Sequence, residues 1–380
     1  MNRTRIVSID NSVISYIGWH RMHSRNFRNV TDCEIAEFTR NYAEISTYIS
    51  TLFEADMTFI LNDSTVPIWR DEYQLNYYCN HAKSWSCDDT FKLLVNYDDK
   101  FFPIRYDQAL GEWVSEKNIT KKARETDGFW DVWTEDEVLR DAAIDFLPHY
   151  KGNRSKVWNY GTDKDEFKRR ANDVSYAYAP HMNAMVLQGD HIEADDIMYQ
   201  VIKAYPDAEH FMVTTDRDWS QMMALSENIH MYDPKEKKML DMNPASAKLN
   251  FYTKMLGGDS GDNIPGAMIL NKKTGNVKKY GEVSAKKMLQ EVGHDEMWAW
   301  MKDNMSPSLE RNIQLISLKR GAQYLEKKKL LGEVQKKIKN WKVSDKDTMI
   351  EDFNTSNIAL RMARQQARKD RSDLGIIVPC

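Results

Sequence analysis

Apolar residues recur along this chain in two rhythms. Short runs, Ile6-Val7-Ser8-Ile9, Met57-Thr58-Phe59-Ile60-Leu61, Ala184-Met185-Val186-Leu187 and Phe211-Met212-Val213-Thr214-Thr215, have the length and composition of buried strands. Between them lie stretches with apolar positions three and four apart. Ile35, Phe38, Tyr42, Ile45, Ile49 and Leu52 follow a Thr31/Glu34 capping box and predict one helix. Ala194, Ile197, Met198, Val201, Ile202 and Tyr205 predict another, stopped by Pro206. Leu249, Tyr252 and Met255 mark a third, and the segment from Ile229 to Leu240 reads as a small hairpin around Asp233-Pro234. Strand, helix, strand predicts an α/β protein with a parallel-sheet core and flanking helices.

The polar residues that end these strands change the picture. Asp10 follows the first strand and Asp63 the second. Gly189-Asp190-His191-Ile192-Glu193-Ala194-Asp195-Asp196 follows the third, and Asp216-Arg217-Asp218 the fourth. Open α/β sheets place their sites at the carboxyl ends of strands. One or two acids at a helix start are ordinary capping. Three within four residues, Glu193, Asp195 and Asp196, repel one another unless a cation lies between them. Two further acids, Asp259 and Asp262, stand in the glycine-rich Gly257-Gly258-Asp259-Ser260-Gly261-Asp262-Asn263-Ile264-Pro265-Gly266. Nine such carboxylates, with no His or Cys among them, call for hard divalent cations, Mg²⁺ or Mn²⁺ in its place. Two such ions about 3.5–4 Å apart are the arrangement for phosphodiester cleavage.

Between Gln74 and Phe146 the rhythm fails. This stretch holds Trp85, Trp113, Trp130 and Trp133, with 9 basic against 15 acidic residues. It reads as an inserted subdomain whose end, from Thr134 to Phe146, is helical. Its tryptophans fill a small core or, if exposed, form a partner surface for a single-strand-binding protein or a sliding clamp. Cys79, His81 and Cys87 lack a fourth ligand at a zinc-site spacing.

Composition narrows the class. The 380 residues carry a net charge of −4, but unevenly: from Ala267 to Cys380 there are 23 basic and 14 acidic residues. An acidic body with a basic end suits phosphate binding at that end, although a lysine-rich solvated surface reads the same way. No apolar run is long enough for a membrane helix, and no signal-peptide pattern opens the chain. Four cysteines without framework spacing suit a reducing cytoplasm. Tyr150-Lys151-Gly152-Asn153-Arg154 puts a ring and two cations together, and Lys168, Arg169 and Arg170 follow on a predicted helix. Rings stack on bases and cations neutralise phosphate.

In this order the motifs resemble the 5′-nuclease superfamily: flap endonucleases, the exonuclease domain of bacterial DNA polymerase I and, nearest in pattern, bacteriophage 5′–3′ exonucleases with RNase H activity. The resemblance spans Asp10 to about Leu289. It implies a PIN-like 5′-nuclease fold with a helical arch and a helix–hairpin–helix-like DNA-binding element. It implies that Asp10, Asp63, Glu193 and Asp195 hold a first Mg²⁺, and Asp216, Asp218 and Asp262 a second, with Asp196 and Asp259 in support. Lys151 and Arg154 match arch residues at the scissile phosphate, and Tyr150 a ring stacked near the reacting nucleotide. Gly281 to Leu289 matches half of the duplex-gripping element, to which Lys278, Lys279, Lys286 and Lys287 would add charge. The chain departs from the family pattern in the insertion and in a lysine-rich stretch that separates Ile264-Pro265-Gly266 from Gly281.

The organisation expected from this is a nuclease core over 1–73 and 147–245, with the arch at 147–180. An insertion at 74–146, a duplex-binding region at 246–340 and a basic tail at 341–380 complete it. The implied function is a structure-specific, metal-dependent 5′ nuclease acting on DNA and RNA–DNA duplexes with 5′ ends or flaps, in primer removal during phage replication. It would work as a monomer in the cytoplasm of the host. The alternative is a catalytically silent DNA-structure binder of the same fold.

Overall fold

The computed structural model describes residues 3–23, 32–81, 84–87, 92–97, 100–107, 112–115, 130–132, 150–151, 164–179, 184–270, 275, 277–293, 295–341, 358–374 and 376. The predicted helix over 134–146 and Arg154 lie outside these. Strands in chain order are β1 (Arg5–Asp10), β2 (Met57–Leu61), β3 (Ser84–Cys87), β4 (Lys92–Tyr97), β5 (Lys100–Asp107), β6 (Glu112–Ser115), β7 (Trp130–Val132), β8 (Ala184–Leu187), β9 (Glu209–Val213), β10 (Ile229–Asp233), β11 (Lys238–Met239), β12 (Met268–Leu270) and β13 (Val277–Lys279). They fall in two compact units. The first joins Met1–Ile68, Ser155–Gly258 and Pro265–Cys380, and the second joins Trp69–Arg154 with Asp259–Ile264.

The first unit is a mixed α/β layer structure around a six-stranded sheet of order β11-β10-β9-β1-β2-β8. All neighbours are parallel except the β10–β11 hairpin. Ile9 pairs with Ile60 on one side and Val213 on the other, so β1, β2 and β9 end at one level. From β1 the chain builds outward to β2 and β8, then returns to β9 on the other side. That reversal opens a crevice at the carboxyl ends of β1 and β9, where ligands bind in such sheets. Asp10 ends β1 there, and Asp216 follows β9.

Period-two alternation in β1 sends Val7 and Ile9 to one face, where they pack with Trp19, Phe38, Tyr42, Phe53 and Phe211. Each large side chain buried there contributes roughly 1.5–3 kcal/mol. The helix Asp32–Phe53 supplies Phe38, Tyr42, Ile49 and Leu52 to this cluster at the spacing read from the sequence. The helix Ile358–Asp373 buries Ala367 in the same cluster. Arg371 bonds the Leu52 carbonyl at 2.8 Å and pairs with Glu54, while Tyr48 donates to Asp370 at 2.8 Å. Part of the stretch read as a basic tail is therefore a docked helix. Among the described residues no helix is long and apolar enough to cross a membrane.

The second unit contains the helix Trp69–His81 and a five-stranded antiparallel sheet of order β6-β5-β4-β3-β7. The helix runs beyond Gln74, where the sequence suggests that the insertion begins. β4 and β5 form its longest pairing, from Lys92↔Arg105 to Tyr97↔Lys100.

Candidate metal centre and its surroundings

In the first unit, seven of the nine sequence-selected acids sit at the ends of sheet strands or on the loops and helix starts that follow them. Asp10 closes β1 and is 6% exposed. Its Oδ1 accepts the Ser12 and Val13 amides at 3.0 and 3.4 Å, and its Oδ2 accepts the Thr214 hydroxyl at 2.9 Å. Burial pushes its carboxyl up to about 7, helped by the negative charges of Asp63 and Asp216 and opposed by the Thr214 hydroxyl and the Val13 amide. Asp63 and Asp216, from two other strand ends, therefore both act electrostatically on Asp10.

Asp63 follows β2. Its Oδ1 accepts the Ala194 amide at 2.9 Å, which ties it to the first turn of the helix Ala194–Ala204. Its Oδ2 accepts the Ser12 hydroxyl at 3.2 Å and faces the Lys168 ammonium at 3.6 Å. Asn62, one residue earlier, is fully buried and donates to Ser175 Oγ at 3.0 Å. Behind the acids, Asn11 donates to Asn172 at 3.2 Å, Asn172 to the Asp63 carbonyl at 3.4 Å, and Tyr42 to Asn11 at 2.8 Å. This buried network fixes the ends of β1 and β2 against the helix Lys164–Tyr178.

Glu193 caps the Ala194–Ala204 helix and is 4% exposed, while Asp196 is fully buried. The Glu193 amide donates to Asp196 Oδ2 at 3.4 Å, so Asp196 serves the helix start. Asp195, between them, is half-buried. His191 reaches the preceding turn with φ 63°, its Nδ1 2.6 Å from the Pro67 carbonyl. A left-handed non-glycine residue there stores modest strain, a feature that clusters at functional sites.

Asp216 caps the 3₁₀ helix Arg217–Ala224 by accepting the Asp218 amide at 2.9 Å. Its own amide donates to Thr214 Oγ1 at 3.0 Å. Thr214 thus bridges Asp10 and Asp216, a role that the sequence does not show, since it is one of two adjacent threonines. Lys254 is a second residue of this kind: it forms an ion pair with Asp218 from the helix Pro244–Gly257. Ser12 is the third, visible in sequence only as a turn serine.

The other two acids belong to the second unit, with Tyr150 and Lys151. Tyr150 Oη donates to Asp262 Oδ2 at 2.8 Å, and the Lys151 amide donates to the Asp262 carbonyl at 2.9 Å. The Tyr150 amide donates to Asp71 at 2.9 Å. Asp259 and Ile264 exchange backbone bonds of 2.8 Å, and Asp259 Oδ1 accepts the Gly261 amide at 2.8 Å. Lys151 and Asn263 both have positive φ, 57° and 58°. At 7% exposed, the Tyr150 ring offers little face for the stacking that the resemblance implies. Its hydroxyl instead holds Asp262.

The basic residues divide. Lys168 balances Asp63, and Arg169 pairs with Asp173 at 3.5 Å. Arg170 lies half-buried on the same helix. Lys278 and Lys279 are exposed on β13, with Lys278 over the Tyr280 ring. Lys286 pairs with Glu282 and Lys287 with Glu291, each one helical turn away. Gly281 precedes the helix Glu282–Val292 as its N-cap.

No family model matches the sequence. Over 123 residues the chain is 28% identical to the ribonuclease H of Enterobacteria phage T4, a match that covers 32% of this chain and 40% of that protein. The matched part thus spans less than half of the curated relative. Among solved structures, the 5′-exonuclease of phage T5 with bound zinc is 12% identical, with a TM-score of 0.41 over 97% of this chain and 99% of that one. A bacteriophage T5 flap endonuclease in complex with DNA and metal ions is 11% identical, with a TM-score of 0.41 and the same coverage. In sequence, as in the order of its motifs, the chain is similar to the phage branch of the 5′-nuclease superfamily.

Proposed function

We propose that the protein is a divalent-metal-dependent 5′ nuclease that cuts phosphodiester bonds at 5′ ends or flaps of DNA and RNA–DNA duplexes, with a role in primer removal during phage replication. The observation that carries this reading is the convergence of Asp10, Asp63 and Asp216 from three strand ends on one sheet edge, with Asp63 and Asp216 both close enough to act on Asp10. Acids so gathered are poised to take a cation between them. The donor set is oxygen only, which fits Mg²⁺ and accepts Mn²⁺. The phage T4 relative, named a ribonuclease H, supports an activity on nucleic acid.

Asp10, Asp63, Glu193 and Asp195 would hold one ion, and Asp216 and Asp218 belong to the second set. When bound, the ions lower the pKa of an attacking water and take up charge on the phosphate and the leaving oxygen. The chain's own residues keep the edge in register. The Ser12, Val13 and Ala194 amides and the Thr214 hydroxyl each direct a carboxylate oxygen. Lys168 and Lys254 balance Asp63 and Asp218. In the second unit, Lys151 and Arg154 are the proposed phosphate contacts, and Tyr150 positions Asp262. The exposed Lys278 and Lys279, with Lys286 and Lys287, are the proposed duplex grip, to which Arg169 and Arg170 add charge.

The test is cleavage of a 5′-labelled flap and of a nicked RNA–DNA hybrid by the purified protein, side by side. The reading expects Mg²⁺-dependent release of short 5′ products from both and none in EDTA. Tight binding without cleavage in Mg²⁺ would instead establish a silent structure-binding accessory.

A further inference from the structure

The first unit contains a second concavity, separate from the acidic edge, of about 520 Å³. One wall is the 3₁₀ helix Arg217–Ala224 with Leu225, another the helix Pro244–Gly257, and a third the segment from Ser317 to Gln323. The helix Met297–Asp303 adds Trp298 and Lys302. Met222, Met255 and Leu318 are buried in its lining, Phe251 is half-buried, and Leu225 is 52% exposed. Thioether and aliphatic side chains around an open hollow make an adaptable apolar receptor.

Four cations line the same hollow: Lys248, Lys302, Lys319 and Arg320. Among the described residues none of them has a carboxylate in ion-pair range. Arg320 reaches only Gln323, at 3.4 Å, and Lys302 lies 5.7 Å from the Trp298 ring. Some other lysines of this unit, Lys203, Lys254, Lys286 and Lys287, are by contrast paired with an acid. Two acids lie near the lining: Asp295 acts on Tyr252, and Glu326 acts on Tyr199 and is already paired with Lys203.

We propose that this hollow docks an acidic peptide segment of a partner protein, with an apolar side chain as its anchor. Charge complementarity selects the acid, and the lining selects the anchor. The polar groups inside argue against a nucleic-acid base. Gln221 is occupied at both ends, donating to the Ile316 carbonyl at 3.2 Å and accepting the Leu318 amide at 3.0 Å. Ser317 Oγ accepts the Arg320 amide at 3.3 Å. A buried base would leave its polar edge unsatisfied, whereas an apolar side chain has none to satisfy. The cations also come from three separate helices around a hole, unlike a row that follows a phosphate chain.

This inference does not rest on nuclease activity, and its test reads binding alone. The probe is a fluorescein-labelled peptide with a central Ile-Phe pair flanked on both sides by aspartates, followed by anisotropy against the full chain. Its asparagine counterpart and labelled oligo(dT) are run beside it. Saturable binding of the acidic peptide is expected, weakened at least about tenfold in the asparagine version, in Lys319→Ala/Arg320→Ala and in Leu225→Glu. All three substituted residues are exposed, and unchanged circular dichroism and melting confirm that the variants fold. Absent peptide binding, equal binding of the asparagine peptide, or undiminished affinity in both variants overturns the proposal. So does oligo(dT) binding that these variants abolish while peptide binding persists, which would mark the hollow as a nucleic-acid subsite.

Discussion

Two charged regions of the first unit handle their charge in opposite ways. At the carboxyl edge of the central sheet, Asp10, Glu193 and Asp196 are buried while Asp63, Asp195 and Asp218 are half-buried and Asp216 is exposed; amides and the Thr214 hydroxyl orient Asp10 and Asp63, and burial, helped by Asp63 and Asp216, raises Asp10 to about 7. On β13 and the helix Glu282–Val292, lysines are exposed, and two of them pair with acids on their own helix. The first region gathers seven acids and pairs two of them with lysines, Asp63 with Lys168 and Asp218 with Lys254. The second is solvated and already locally balanced. Charge that is held out of water must be met by something specific, whereas charge in water is screened within about 10 Å. The proposed function assigns chemistry at a point to the first and adjustable attraction to a polyanion to the second.

The largest effect expected is on cleavage. Asp216→Asn should lower flap cleavage in Mg²⁺ by at least about a hundredfold, with duplex affinity largely kept, because a proposed metal ligand is removed. Near-normal turnover of this variant would remove Asp216 from the site.

Asp10 makes a prediction about stability with a definite sign. Its folded carboxyl lies above the ordinary value of 3.8, so the unfolded chain gives up the proton first. Below about pH 4 both forms are protonated and the shift has no effect. As pH rises through the interval up to about 7, the metal-free fold is progressively penalised, by an amount on the order of a few kcal/mol. Asp10→Asn removes that penalty. In EDTA at pH 8 the variant should therefore melt higher than the parent, and the gap should close toward pH 4. A gap of the opposite sign at pH 8 would show that the acids are not frustrated.

Much of this is legible in the chain, and the reasons differ by region. β1, β2, β8 and β9 are visible because buried parallel strands are continuous apolar runs. The acids after them are visible because the turn follows the run directly. Thr214, Ser12 and Lys254 are not, since each acts through a partner distant in sequence: Thr214 on Asp10, Ser12 on Asp63, and Lys254 on Asp218. The five-stranded sheet of the second unit also escapes a sequence reading, because β3, β6 and β7 have only three or four residues each, and Trp85 and Trp113 suggest a core without a period to place it. The docked helix Ile358–Asp373 is hidden by its charge, since Ala367 and neighbours such as Leu374 are what it turns inward.

Thr214→Val gives a smaller effect that sharpens the same contrast. It keeps the shape but leaves Asp10 Oδ2 and the Asp216 amide without their shared partner, at a cost of about 1–3 kcal/mol. Chemical denaturation at pH 8 checks it, and a change below a few tenths would mean the hydroxyl is replaceable by water.

The basic region should respond most mildly. Lys278→Ala with Lys279→Ala should flatten the salt dependence of duplex binding by about 0.9 in log–log slope for each phosphate no longer neutralised, with single-turnover cleavage little changed. Equal reductions in turnover and in salt slope would erase the division between the two regions.

The central claim is that the sheet edge is a cation site and that Asp10 keeps a share of a proton in the metal-free chain. Calorimetric titration of Mn²⁺ into the metal-free protein near pH 7, in buffers of different ionisation enthalpy, measures this directly. Binding with release of a fraction of a proton per chain at pH 7 is expected, since burial raises the Asp10 carboxyl to about 7 in the metal-free chain. The release should disappear in Asp10→Asn and shrink above pH 8. Binding with no dependence on buffer, or no binding at all, would contradict it.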